Sequence, residues 1–180
     1  MATLFQDKTL LNSDWKEVNA NDALKDKVVA ILFAASWCRP SVDFIKVLAG
    51  LYGELRQRFA PLEIVFVSSD KTKQDMEEFY LGCHGNWLAL DHDDPFGDFL
   101  RQQYNITAIP KLIVIKASGD VISQKGRKDI QEKGTTCFRV WAAGANVADW
   151  EKIALRERSR SAISSKSQDE NNETETVATE

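Results

Sequence analysis

The sequence predicts an α/β domain with a mixed central β-sheet flanked by helices, and three observations carry that prediction. Two continuous apolar runs rich in β-branched residues, "KVVAILFAA" at 27–35 and "LEIVFVSSD" at 62–70, suit strands buried on both faces. Between them Phe44, Val47, Leu48, Leu51, Leu55 and Phe59 recur at spacings of three and four, the signature of a helix with one apolar stripe. Strand, helix and strand in that order make a parallel βαβ unit. Further on, "IPKLIVIKASGDVISQKG" at 109–126 reads as two strands about a Ser118-Gly119 turn, so a C-terminal β-hairpin joins the parallel unit.

The remaining elements follow in order. The first helix begins at Pro40 or Ser41 and is ended by Pro61. "KTKQDMEEFYLG" at 71–82 reads as a second helix. A short third one spans 94–104, with Asp94 as N-cap and Pro95 at its first position. The stretch 128–144 is helical with a break or a helix start near Gly134, and Asn146 to about Arg156 completes a last helix. Residues 1–156 thus form one domain, with no internal repeat. From Glu157 to Glu180 large apolar residues nearly vanish and six acids face three bases, so 157–180 is expected to be an acidic, Ser/Thr-rich disordered tail.

Composition narrows the function classes. A chain of 180 residues, 43% hydrophobic, has enough material for a core. Its net charge of −4 argues against an electrostatic grip on nucleic acid or an anionic membrane. No stretch approaches the roughly 18 apolar residues of a membrane span. The opening "MATLFQDKTLLNSDW" places acids and amides where a signal peptide needs a basic start and a long apolar run. Three cysteines make no disulfide framework, which fits a reducing compartment, the cytoplasm with the nucleus left open. Cys83 and Cys137 read as structural thiols. With His84 and His92 the only histidines, no zinc pattern is met. "DHDDP" at 91–95 reads as a solvated loop and helix cap, and the basic "KGRKDIQEKG" at 125–134 as a solvated helix start.

Trp37-Cys38-x-x-Ser41 lies between a buried strand and a helix, and Ile109-Pro110 opens a later strand 72 residues beyond the cysteine. Together these resemble the thioredoxin fold, with its WCxxC motif and cis-proline loop. The intervening "HGNWLALDHDDPFGDFLRQQYNITAIPKLIVIK", with "IVFVSSD" before it, resembles the tryparedoxin and nucleoredoxin subgroup, most of all the nucleoredoxin-like proteins of photoreceptors and other sensory neurons. The resemblance covers roughly residues 8 to 155. It implies that Pro110 is cis and faces Cys38, and that Ile109 offers its backbone to a bound peptide or glutathione.

A free cysteine, with pKa of roughly 8.5, is mostly protonated at neutral pH, whereas the thiolate is the nucleophile. At Cys38 the unpaired N–H groups and positive end of the helix dipole favour the thiolate. Arg39 adds a cation, Pro40 suits the first turn, and Trp37 offers a flat apolar surface to a partner. Ser41 stands in the resolving position, one helical turn on, where a hydroxyl cannot attack a mixed disulfide. Its Oγ is left to bond the thiolate or cap the helix.

Two readings stay open. One is a monothiol oxidoreductase with Cys38 as nucleophile, acting on protein or glutathione disulfides and using glutathione as external resolving thiol; no other cofactor and no metal is expected. The other is a non-catalytic interaction protein that uses the Trp37/Cys38/Ile109/Pro110 face to bind a partner and support sensory-neuron viability.

Overall fold

The computed structural model describes residues 3–173, with side chains to residue 163. The chain divides into two units, Met1–Ala148 and Asp149–Glu180. The first is built on one sheet. Its strands are β1 (Thr9–Leu11), β2 (Glu17–Asn19), β3 (Val28–Ala34), β4 (Leu62–Ser68), β5 (Leu88–Ala89), β6 (Lys111–Ile115) and β7 (Val121–Ser123), laid side by side as β2-β1-β5-β4-β3-β6-β7. Strands β3, β4 and β5 are parallel, whereas β6 pairs antiparallel with β3 and β7 antiparallel with β6, as the βαβ unit and hairpin predict.

Every residue of β3 and β4 is buried, so both sheet faces must be covered. Alternation sorts the side chains. Val29, Ile31 and Phe33 join Val65, Val67, Ile113 and Ile115 in a core closed by Phe5, Leu24, Phe96 and Leu100. The last two belong to α4 (Phe96–Gln103) and Leu24 caps α1 (Ala20–Ala23). On the other face Phe66 packs against Phe79 and Tyr80 of α3 (Lys73–Cys83).

Helix α2 (Arg39–Gln57) buries Phe44, Leu48, Leu51 and Leu55 as the periodicity predicts, together with Ile45 and Tyr52. Val47 and Phe59, placed on the stripe by spacing, are instead 55% and 54% exposed. The buried face is centred on Leu48, with Ile45 and Tyr52 on its flank, and Val47 falls just outside its other edge. Phe59 lies beyond the helix end at φ 59°, where the chain has already turned away.

Helix α4 begins one residue later than expected, with Pro95 at φ −60° as its N-cap and not its first residue, while the Asp94 carboxylate still accepts the Phe96 N–H at 2.9 Å. The helical stretch expected over 128–144, interrupted near Gly134, is α5 (Gly126–Lys133), a 3₁₀ turn at Gly134–Thr136 and α6 (Cys137–Gly144). The break comes where Gly134 takes φ 55°.

The second unit holds α7 (Trp150–Glu173). It begins four residues later than Asn146, which has φ 59°, and runs through 157–173, a stretch expected to lack structure. That expectation weighed apolar content and charge; the stretch has no proline or glycine to stop a helix once started. Residues 174–180, the rest of the expected tail, lie outside the described residues. Among the described residues no helix is long and apolar enough to cross a membrane.

Candidate functional site

Strand register decides what meets at the candidate site. Ala34 pairs with Ser68 at the ends of parallel β3 and β4, so the segments leaving both strands run on together, and the Ser69 N–H donates to the Ala34 carbonyl at 2.9 Å. Phe33 pairs with Lys111 at the start of antiparallel β6, which brings residues 109–110 opposite the turn after β3. The carboxyl ends of parallel strands are where α/β sheets usually place their sites.

Cys38 is the N-cap of α2, with φ −97° and ψ 105°. Its carbonyl accepts from the N–H groups of Ser41 and Val42 at 2.9 and 3.2 Å. The side chain makes no capping bond, and Sγ lies half-buried, 3.7 Å from the carbonyl oxygen of Ile109. The Ile109–Pro110 bond is cis. Cys38 and the Ile109-Pro110 pair are therefore brought together.

The neighbours of the thiol differ in what they present. The Trp37 ring is 61% exposed while its Nε1–H donates to the Ser69 carbonyl at 3.0 Å, so one edge is fixed and one face open. Arg39 is engaged by Asp43 one turn on, at 3.2 Å, an exposed pair of the kind worth a few tenths of a kcal/mol. Pro40 is exposed at the first turn. Ser41 is fully buried, and its Oγ accepts the Ala35 N–H at 3.4 Å. It ties the turn to the helix rather than capping α2. Beside Pro110 opens a groove of about 510 Å³ walled by Lys111, Lys125, Arg127 and Lys128, with Glu132 as its acid.

Sequence reasoning missed the residues that hold this turn. The buried Asp70 carboxylate accepts from Ser36 N–H and Ser36 Oγ on one oxygen, and from Ser68 Oγ on the other, each at 2.7 Å. Arg101 of α4 donates to the Ser68 carbonyl. His92, read as part of a solvated loop, has Nε2 2.9 Å from the Asp70 carbonyl. The signal was available in outline: polar Ser68, Ser69 and Asp70 end a strand parallel to the one that ends at the thiol.

The other cysteines are elsewhere. Cys137 is buried, which pushes its thiol up to about 12, with Asp129 adding to the shift. Cys83, read as buried, is only half-buried; its Sγ–H donates to the Phe79 carbonyl at 3.4 Å, and burial raises its pKa. Among the described residues no cluster of His, Cys, Asp or Glu is suited to hold a metal ion.

The chain is similar to known proteins in sequence and in fold. Residues 26–121 match the model of a family described as thioredoxin-like. Human nucleoredoxin-like protein 1 is 31% identical over 160 residues, covering 83% of this chain and 76% of its own length. The crystal structure of thioredoxin from Wuchereria bancrofti superimposes with a TM-score of 0.70 at 34% identity, over 80% of this chain and all of that one. Tryparedoxin II complexed with glutathionylspermidine superimposes with a TM-score of 0.63 at 28% identity, over 69% of this chain and 85% of that one.

Proposed function

Because this chain belongs to the thioredoxin-like family of redox proteins, we propose that it works through one thiol, Cys38, by exchange with protein or glutathione disulfides. The observation that carries the reading is Sγ of Cys38 standing 3.7 Å from the Ile109 carbonyl while the residue in the resolving position, Ser41, is a hydroxyl turned inside. In the first step the Cys38 thiolate attacks one sulfur of a substrate disulfide. That S–S bond breaks, a Cys38–substrate disulfide forms, and the second sulfur leaves as thiolate. No second sulfur of this chain follows, so an external thiolate attacks the mixed disulfide and returns Cys38 to its reduced form.

Glutathione suits that second role. Its two carboxylates match the basic walls of the groove beside Pro110, and its extended backbone can pair with Ile109. A complex of tryparedoxin with glutathionylspermidine supports the class of ligand. Such exchange belongs in a reducing compartment, the cytoplasm.

The test is intact-mass analysis of the reduced chain after incubation with glutathione disulfide. One glutathione per chain is expected, absent in Cys38→Ser and released by added glutathione. Restoring a resolving sulfur with Ser41→Cys is expected to raise insulin disulfide reduction well above wild type. A chain that takes no adduct at Cys38 defeats the reading.

The exposed Trp37 ring favours a second reading, a binding protein that uses the same face on a partner and supports sensory neurons. Under it, Cys38→Ser keeps the partner in a pull-down and Trp37→Ala loses it.

A further inference from the structure

Both ring nitrogens of His92 face oxygens that can only accept. Nε2 lies 2.9 Å from the Asp70 carbonyl and Nδ1 lies 2.8 Å from the Asp93 carboxylate. A neutral imidazole carries one N–H and satisfies one of them, whereas imidazolium donates to both. When a single proton remains, the carboxylate is the stronger acceptor and keeps it on Nδ1, so the Asp70 carbonyl loses its donor.

What Asp70 holds gives this contact its consequence. Its carboxylate fixes Ser36 through two hydrogen bonds, and the residue before it, Ser69, fixes the Trp37 indole. Ser36 and Trp37 are the two residues leading into Cys38. We propose that His92 is a proton-dependent positioning residue for the Cys38 turn: protonated, it braces Asp70 and so the settings of Ser36 and Trp37; deprotonated, it releases that brace. This rests on the reading of Cys38 as the working thiol.

The charges around His92 favour the protonated form. Asp93 belongs to its own loop, and Asp70 faces it from the end of β4. Asp91, on the same loop, is tied at 3.0 Å to Lys73 of α3. The Asp70 carbonyl and then the Asp93 carboxylate hold the imidazole above the ordinary histidine range, against the opposing effect of partial burial.

The test follows the Trp37 indole N–H by NMR in the full chain, its signal identified by loss in Trp37→Phe. Across pH the signal is expected to shift with the same inflection as the His92 ring. Asp93→Asn is expected to move both inflections to lower pH, and His92→Gln to remove the inflection from Trp37 while the rest of the spectrum stays dispersed. The rate of Cys38 alkylation against pH is expected to show a step at the His92 inflection in wild type and none in His92→Gln. An indole signal flat through the His92 titration, or one whose inflection survives His92→Gln, overturns the proposal. A titrating indole in a chain that forms no glutathione adduct counts against the functional reading alone. A flat indole in a chain that does form the adduct counts against His92 alone.

Discussion

The two histidines lie in opposite surroundings, and the difference shows how this fold assigns charge. His84 caps α3 amid aromatic rings, with centroids 4.3 Å from Phe66, 4.7 Å from Phe79, 5.2 Å from Tyr80 and 5.3 Å from Trp87. The Trp87 indole donates to its Nδ1 at 3.2 Å, which assigns the ring proton to Nε2, a buried atom with no hydrogen-bond partner among the described residues. Burial pushes this imidazole down to about 3. His92 sits between two acceptors and is pushed the other way. The same side chain is thus held toward its neutral form in one place and toward its protonated form in the other, decided by whether ring carbon or oxygen surrounds it.

The largest effect that can break this contrast is acid unfolding. An unfolded histidine titrates near 6.5, whereas folded His84 titrates at about 3, so over that interval the unfolded chain binds more protons. Stability from this group is therefore complete above pH 6.5 and falls as the pH drops toward 3, by roughly 3–5 kcal/mol. Urea unfolding of wild type and His84→Phe at pH 7 and pH 4 reads the difference. The variant loses less on acidification, although at pH 7 it starts about 1 kcal/mol lower for the lost Trp87 hydrogen bond. Equal acid losses in the two chains would show that His84 is protonated in the fold.

Next in size is a contrast among sulfurs. Cys137, held up to about 12 by burial, has on the order of a thousandfold less thiolate than a free cysteine. Iodoacetamide at pH 8 is expected to label Cys38 first, Cys83 slowly and Cys137 only after unfolding, as peptide mass spectrometry reads directly. Asp70→Asn comes third, at about 1.5–3 kcal/mol, because an amide nitrogen would face donors that now meet a carboxylate. Its urea midpoint should fall at constant slope, with the Trp37 indole signal broadened.

These contrasts were unevenly legible in the sequence. Buried strands β3 and β4, the hairpin and α2 could be read from apolar runs and periodicity, and the pairing of Cys38 with Ile109-Pro110 was implied by the resemblance to the thioredoxin fold. Strands β1, β2 and β5 could not, since two or three residues carry no period, and they exist because partners across the sheet complete them. At the site, the residues around the thiol were legible, and those that hold them were not. Asp70, Ser69 and His92 act through backbone oxygens or on backbone N–H groups, contacts for which many side chains look alike in a sequence. In the sequence His84 shows only that no zinc pattern is met, and its ring cage became visible only once Phe66 of β4 met α3.

The smallest effect sharpens the comparison most, because its sign is reversed. His92 has a folded value raised above its unfolded one, so the stability it contributes is fully present below about pH 6.5 and is lost as the pH rises through the folded value. Asp93 is 81% exposed, so solvent screens the pair and the contribution stays below about 1 kcal/mol. Subtracting the pH-stability curve of His92→Gln from that of wild type should give a shallow decline above about pH 6.5, the mirror of the steep acid decline that the His84→Phe subtraction isolates. Added salt at 0.5 M should flatten the His92 difference, since an exposed pair is screened, and leave the His84 difference in place, since burial is not. A His92 difference that resists salt would mean that the Asp70 carbonyl alone sustains the proton, and Asp93→Asn would then leave the curve unchanged.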